Sequence, residues 1–162
     1  MNPAREINWD KEIAPRIKNL VTADFYLEAL YLEAATVEQI LRNTIENQEE
    51  WVESLLIQSG LSFHRISQKE LEERSLGELI SLFSRFSKDT RLISELNDFN
   101  SLRKTIVHHL LDYSIEQLNK LAKNKQPKYN QLLAKIYRHD VELSEKFIRK
   151  YKRILRKIRV SR

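Results

Sequence analysis

The sequence predicts an all-α protein, a single-domain helical bundle of four to six helices over residues 1–162. Three observations predict it. Only two glycines and three prolines occur in 162 residues, and a sheet-rich fold needs many tight turns that draw on those residues. Apolar residues recur every three, four or seven positions through most of the chain, the period of a helix face. The length suits one domain with a substantial core, and 41% hydrophobic with 31% charged residues is a globular balance.

Trp9, Ile13, Ile17 and Leu20 form a helical stripe, so residues 1–20 read as a short opening helix or arm, which Pro15 either weakens or enters as a first turn. A long helix is expected from about Asp24 to Ser59, on Leu27, Leu30, Ala34, Val37, Leu41, Ile45, Trp51 and Leu55, with an interruption at the polar "ENQEE". Gly60 is its stop, since glycine accepts the left-handed conformation just past a helix end. "LSFHRI" is a short connector. Two Ser-x-x-Glu capping boxes follow, "SQKE" at 67–70 and "SLGE" at 75–78, the second opening the apolar helix "LGELISLFSRF". The next helix is expected from Asp89 to about Lys123, on Leu92, Leu96, Phe99, Ile106, Leu110 and Tyr113. "NKQPK" at 124–128 reads as a loop before a last helix from Lys128 to Ile158. Tyr26, Tyr31, Phe83, Phe86 and Phe99 are expected in the core.

Composition removes several chemistries. With no cysteine there is no disulfide, thiolate nucleophile or thiolate metal site. The first 20 residues are charged and lack an apolar signal core, and no apolar run has the length of a membrane span. The expectation is a soluble, cytoplasmic protein without targeting. Charge is uneven. From Ser144 to Arg162 nine Lys and Arg face one acid, a segment of +8. The remainder carries 19 basic against 22 acidic residues, or −3.

The chemistry concentrates in "LRKTIVHHLLDY", Leu102 to Tyr113. With helical steps of about 100°, His108 points away from the core residue Ile106, and Asn100, Lys104, His108 and Asp112 form one polar row with Arg103 beside it. Adjacent His108 and His109 diverge too far to share a metal, which helices bind through i, i+4 histidines, so no metal or other cofactor is expected. His64 and His139 are assigned structural roles, and His109 a place at the core edge. What remains is arginine with histidine. Histidine can move a proton at a ribose 2′-OH or a leaving oxygen, and arginine can hold a phosphate and stabilise its charge.

"LNDFNSLRKTIVHHLL" resembles the signature helix of HEPN domains, small all-helical proteins whose motif is Arg, four to six residues, then His. Arg103 and His108 match with four between. "LGELISLF" and "YLEAATVEQILRNTI" also look like the family, so the resemblance covers about residues 24–122. It implies an up-and-down core, a homodimer whose two motif helices line one cleft, and metal-independent RNA cleavage with Arg103 and His108 as catalytic residues. It also implies a place among toxins or phage-defence proteins, where an antitoxin partner is expected. Other members are inactive RNA-binding or scaffold domains. Lys104 departs from the small polar residue, often asparagine, that follows the arginine in active members. It cannot accept a hydrogen bond but can grip a phosphate.

The basic helix at 128–162 is an addition to that core. Phe147, Tyr151, Ile154 and Ile158 share one side, and cations cover the rest. Docking of the stripe on the bundle with a phosphate-binding outer face is preferred to a membrane-surface role. RNA contacts are therefore expected from Lys104, His109, Arg149, Lys150, Arg153, Arg156 and Lys157. The alternative is a non-catalytic nucleic-acid-binding or protein-interaction module using the same surface.

Overall fold

Three long-range pairs rise together along two helices: Leu27 with Asn119, Glu33 with Gln126 and Thr44 with Asp140. These helices are α2 (Tyr26–Gln58) and α6 (Ile115–Val160), which run parallel and form the spine of the bundle. The computed structural model describes residues 9–160, and the side chains of 11–150, 152 and 153. Among the described residues there are six α-helices and no strand.

A π-helical turn, Trp9–Ile13, leads into α1 (Ala14–Thr22), with Pro15 in the first turn, the second of the two readings its position allowed. Ile13 and Ile17 are buried, while the Trp9 side chain lies outside the described residues. The α1–α2 turn places Asp24 at φ 60°. Its N–H donates to Val21 O at 3.2 Å, and that of Phe25 to Leu20 O at 2.9 Å, the paired bonds that close a helix with a left-handed residue. The same closure ends α2. Gly60 has φ 75°, with Gly60 N–H to Ile57 O at 3.0 Å and Leu61 N–H to Leu56 O at 2.9 Å.

The helix α2 runs unbroken for 33 residues, so the interruption expected at "ENQEE" does not occur. Glutamate and glutamine are good helix formers, and here Gln48 and Glu49 face inward while Glu50 is exposed. Glu49 is buried because its Oε2 accepts the Ile66 N–H at 2.7 Å. That bond fixes the strap of residues 61–75, which descends α2 in the opposite direction and includes α3 (Gln68–Glu72). Both capping boxes are formed with both halves in place, at α3 and at α4 (Leu76–Phe83). The Ser75 backbone N–H and hydroxyl, with Arg74, hold the Glu78 carboxyl down at about 2.

The chain then descends in α5 (Thr90–His108) and rises in α6. Lys135 opposite Glu95 and Lys128 opposite Asp98 show the antiparallel α5–α6 pairing. The all-α bundle is therefore present, with α5 antiparallel to α6 and α2 parallel to it. Its core holds Leu30, Val37, Leu41 and Ile45 from α2, Leu79 and Phe83 from α4, Leu96 and Phe99 from α5, and Leu132 and Ile136 from α6.

Two expected boundaries are wrong. The helix at 89–123 is broken: α5 stops at His108, residues 109–114 turn, and α6 begins at Ile115. A third capping box makes this start. Gln117 N–H donates to Ser114 Oγ at 3.2 Å, and Ser114 N–H to Gln117 Oε1 at 2.9 Å. "NKQPK" is not a loop, because α6 continues through Pro127 for 46 residues. Proline inside a helix removes a hydrogen bond and crowds the preceding turn. It is carried here on the exposed face, while Ala122, Gln126, Tyr129, Leu132 and Leu133 are buried. Tyr31, expected in the core, is 38% exposed; Phe83 and Phe99 are buried, and Tyr26 and Phe86 are partly buried against the core.

Candidate functional site

The helix α5 is started by Asp89, whose Oδ1 accepts the Leu92 N–H at 2.9 Å. Leu92, Leu96, Phe99 and Ile106 are its buried stripe. Asn100, expected in the outer polar row, is buried instead. It packs on Gly77, where a Cβ would lie 3.1 Å from Asn100 Nδ2, so α4 approaches α5 closely at a residue without a side chain.

Arg103 lies at the edge of that stripe. Its Nη1 is 3.1 Å from Glu38 Oε1 on α2. Glu38 Oε2 receives Arg42 Nη2 at 3.3 Å, and Arg42 Nε donates to the Leu71 carbonyl at 3.1 Å. All three side chains stay partly open, Arg103 at 34%, Arg42 at 20% and Glu38 at 17%. Sequence reasoning identified Arg103 but neither Glu38 nor Arg42 as its companions. Their i, i+4 spacing within "VEQILRN" was visible, but the partner 65 positions further along was not.

His108 is the last residue of α5 and is exposed, as is Lys104. His108 stands five positions after Arg103, which turns their directions about 140° apart on one helix. A single protomer therefore does not put both on one face. The expected row through Asp112 is also absent, because the helix has ended. Asp112 Oδ2 instead takes His109 Nδ1 at 2.8 Å, with the imidazole edge-on to Tyr113 at 5.6 Å. So His109 belongs to the turn, not to the edge of the core. Leu110 and Tyr113, expected in the core stripe, are exposed for the same reason. With Val107, Leu111 and Ile115 they form an apolar group beside His108 in which Leu111 is 99% exposed.

Further along α6, Phe147 packs on Trp51 with ring centroids 5.3 Å apart, so the apolar side of the basic segment does dock on α2 at this residue. Arg149, Lys150 and Arg153 are exposed, and Arg149 pairs with Glu145 at 2.9 Å. The side chains of Tyr151, Ile154, Arg156, Lys157 and Ile158 lie outside the described residues. His139 sits 2.9 Å from Ser87 Oγ and edge-on to Phe83, a structural place as expected, and His64 is exposed.

A cleft of about 330 Å³ opens elsewhere, between the start of α5 and the middle of α6, among Asp89, Arg91, Glu95, Lys135, Arg138 and His139. None of the residues expected to act lines it. Its central carboxylate is already neutralised, since Lys135 reaches Glu95 at 2.6 Å and Arg91 at 3.3 Å. Among the described residues no group of three or more His, Asp or Glu could hold a metal ion, and no helix is long and apolar enough to cross a membrane. Comparison of the chain with protein-family models, with curated proteins and with solved structures gives no match in any of the three.

Proposed function

We propose that this chain is a HEPN-like RNA-processing protein that acts as a homodimer and cleaves RNA without a metal. The observation that carries the reading is the end of α5. A solvent-facing histidine, His108, stands one helical turn and a half from a partly open arginine, Arg103, and next to an apolar group that one protomer leaves uncovered. A second copy seated on Val107, Leu110, Leu111, Tyr113 and Ile115 would cover that group and bring the two motif helices together. Arg103 of one copy would then approach His108 of the other, which the divergence of about 140° denies to a single chain.

In that site His108 takes the proton of a ribose 2′-OH. The 2′-oxygen bonds to phosphorus, the bond to the 5′-oxygen breaks, and that oxygen takes a proton from the second His108 in its imidazolium form. The products are a 2′,3′-cyclic phosphate and a 5′-hydroxyl. Arg103 supplies charge to the phosphate as negative charge grows on it. Arg149, Lys150 and Arg153, with Arg156 and Lys157 further along, hold the RNA backbone through salt-sensitive contacts. A place in toxin or phage-defence systems, with a neutralising partner in the cytoplasm, belongs to the same reading.

A second reading has its own support. Lys104 follows Arg103 where active relatives of this type keep an acceptor, and Glu38 already engages the arginine. Both fit a module that binds RNA or a protein without cutting. Cleavage of a mixed RNA pool in EDTA, by wild type and by His108→Ala, separates the two. Cleavage lost in the variant supports the nuclease. A folded wild type that binds the pool and leaves it intact supports the module.

A further inference from the structure

We propose that Arg42 and Arg103 form a two-guanidinium seat for an RNA phosphate, and that the Glu38 carboxylate occupies the seat until RNA displaces it. This rests on the RNA reading above and adds to it a second phosphate-contacting arginine and a built-in competitor.

The geometry is that of an anion held between two cations. Each Glu38 oxygen takes one arginine, Oε1 with Arg103 at 3.1 Å and Oε2 with Arg42 at 3.3 Å. Guanidinium groups recognise carboxylate and phosphate through the same planar fork of N–H donors. A carboxylate bridging two arginines therefore stands where two non-bridging phosphate oxygens would. Arg42 does not depend on Glu38 for its position. Its Nε is fixed by the Leu71 carbonyl at 3.1 Å, which leaves Nη2 pointing at the seat. The seat bears two positive charges against one negative, so it keeps a net positive charge even when Glu38 fills it. The three side chains are 17–34% exposed, open enough for a phosphate to enter and for Glu38 to swing out. Ion pairs that reach solvent are weak, so the exchange is within reach of one phosphodiester contact.

The test uses the full chain and a 2′-O-methyl RNA oligonucleotide, which can bind but cannot be cleaved by 2′-OH attack. Glu38→Gln is expected to tighten binding about fivefold, equal to about 1 kcal/mol, and to steepen the log–log salt dependence by about 0.7 for the added phosphate contact on a single strand. Arg42→Gln is expected to weaken binding by a similar factor and to cancel the gain when combined with Glu38→Gln. Unchanged or weaker binding by Glu38→Gln, or an Arg42→Gln variant that binds as wild type does, overturns the seat. If RNA cleavage depends on His108 while Glu38→Gln gives no gain, the seat fails and the nuclease reading stands. If wild type neither binds nor cleaves RNA, the RNA reading fails, and pyrophosphate tests the seat alone. The melting temperature of Glu38→Gln should then rise with pyrophosphate more than that of wild type, and Arg42→Gln should show no rise. Equal responses of all three overturn it. Should Glu38→Gln not fold, wild type against Arg42→Gln with pyrophosphate decides.

Discussion

Arg103 on α5 and Glu38 on α2 meet at 3.1 Å across 65 residues of sequence. The contact joins the helix that carries the motif to the helix that forms the spine. It is also partly exposed, which separates its structural worth from its chemical worth. Arg103→Lys and Arg103→Ala should each cost about 1 kcal/mol or less in urea unfolding. RNA cleavage should fall about 100-fold or more in both, because an ammonium cannot present the planar fork. A lysine variant that cleaves as wild type does would sink the role given to the guanidinium.

Glu33 is fully buried on α2, with Gln126 Nε2 at 3.1 Å from one oxygen. Burial pushes its carboxyl from the ordinary 4.5 up to about 8, against the opposing hydrogen bond from Gln126. The folded protein therefore keeps a proton that the unfolded chain has lost between those values. Stability is present at low pH in that window and falls as pH rises through it, with a slope approaching about 1.4 kcal/mol per pH unit before flattening above about 9. Asp140, also raised by burial, bends the curve the same way. Urea unfolding from pH 5 to 9 should show the decline, and Glu33→Gln should remove most of it and be the more stable protein at pH 8.5.

Asn119 supplies both halves of a clip between α6 and the start of α2. Its Oδ1 accepts the Leu27 N–H at 3.0 Å, and its Nδ2 donates to the Asp24 carbonyl at 2.7 Å. Phe25, the N-cap of α2, gives no side-chain cap of its own, so Asn119 caps that helix from a distance. Asn119→Ala should destabilise by about 1–2 kcal/mol, read as a melting temperature lower by roughly 2–8 °C. Asn119→Asp keeps the acceptor and should recover part of the loss.

Pro127 is an exposed proline in the interior of α6. Alanine there restores an N–H able to donate to the Lys123 carbonyl and removes a ring crowded against the preceding turn. Pro127→Ala should stabilise by up to about 3 kcal/mol. Thermal unfolding checks this, and a loss of stability would mean that the proline shapes the helix in a way its neighbours require.

Leu111 tests the dimer. At 99% exposure its replacement by lysine removes no contact within the chain, so stability should move by less than about 0.5 kcal/mol. Sedimentation of wild type should show a dimer and of Leu111→Lys a monomer. A wild type that sediments as a monomer at the concentrations used for cleavage would remove the composite site.

Legibility in the sequence followed the range of the interaction. Ser67 with Glu70, Ser75 with Glu78, and Gly60 lie within a few residues of what they close, and all three were read from the sequence. Ser114 and Gln117 carry the same signal in "SIEQ". It lay inside an apolar periodicity strong enough to suggest one continuous helix, and the error moved Asp112, Leu110 and Tyr113 to the wrong surroundings. "ENQEE" and Pro127 misled for the opposite reason. The polarity of the first and the ring of the second were read as breaks, while the strap at Ile66 and the packing of Tyr129 and Leu132 decide for helix. Arg103 was visible as chemistry, but Glu38 became its partner only when α2 and α5 were folded together.

The parallel pairing of α2 with α6 bears on how the chain reaches this fold. Leu27 to Asn119, Glu33 to Gln126 and Thr44 to Asp140 span 92, 93 and 96 residues. No local contact can stand in for these. During synthesis the side of α2 that meets α6 must stay uncovered until the ribosome has made α6. The entropy of closing so long a loop grows slowly with length but falls almost wholly on the first contact. Once one rung is made, the others follow in register at little further cost. Contacts so distant in sequence slow folding, so this helical bundle is expected to fold more slowly than its helix content suggests, with the seam closing late and as a unit.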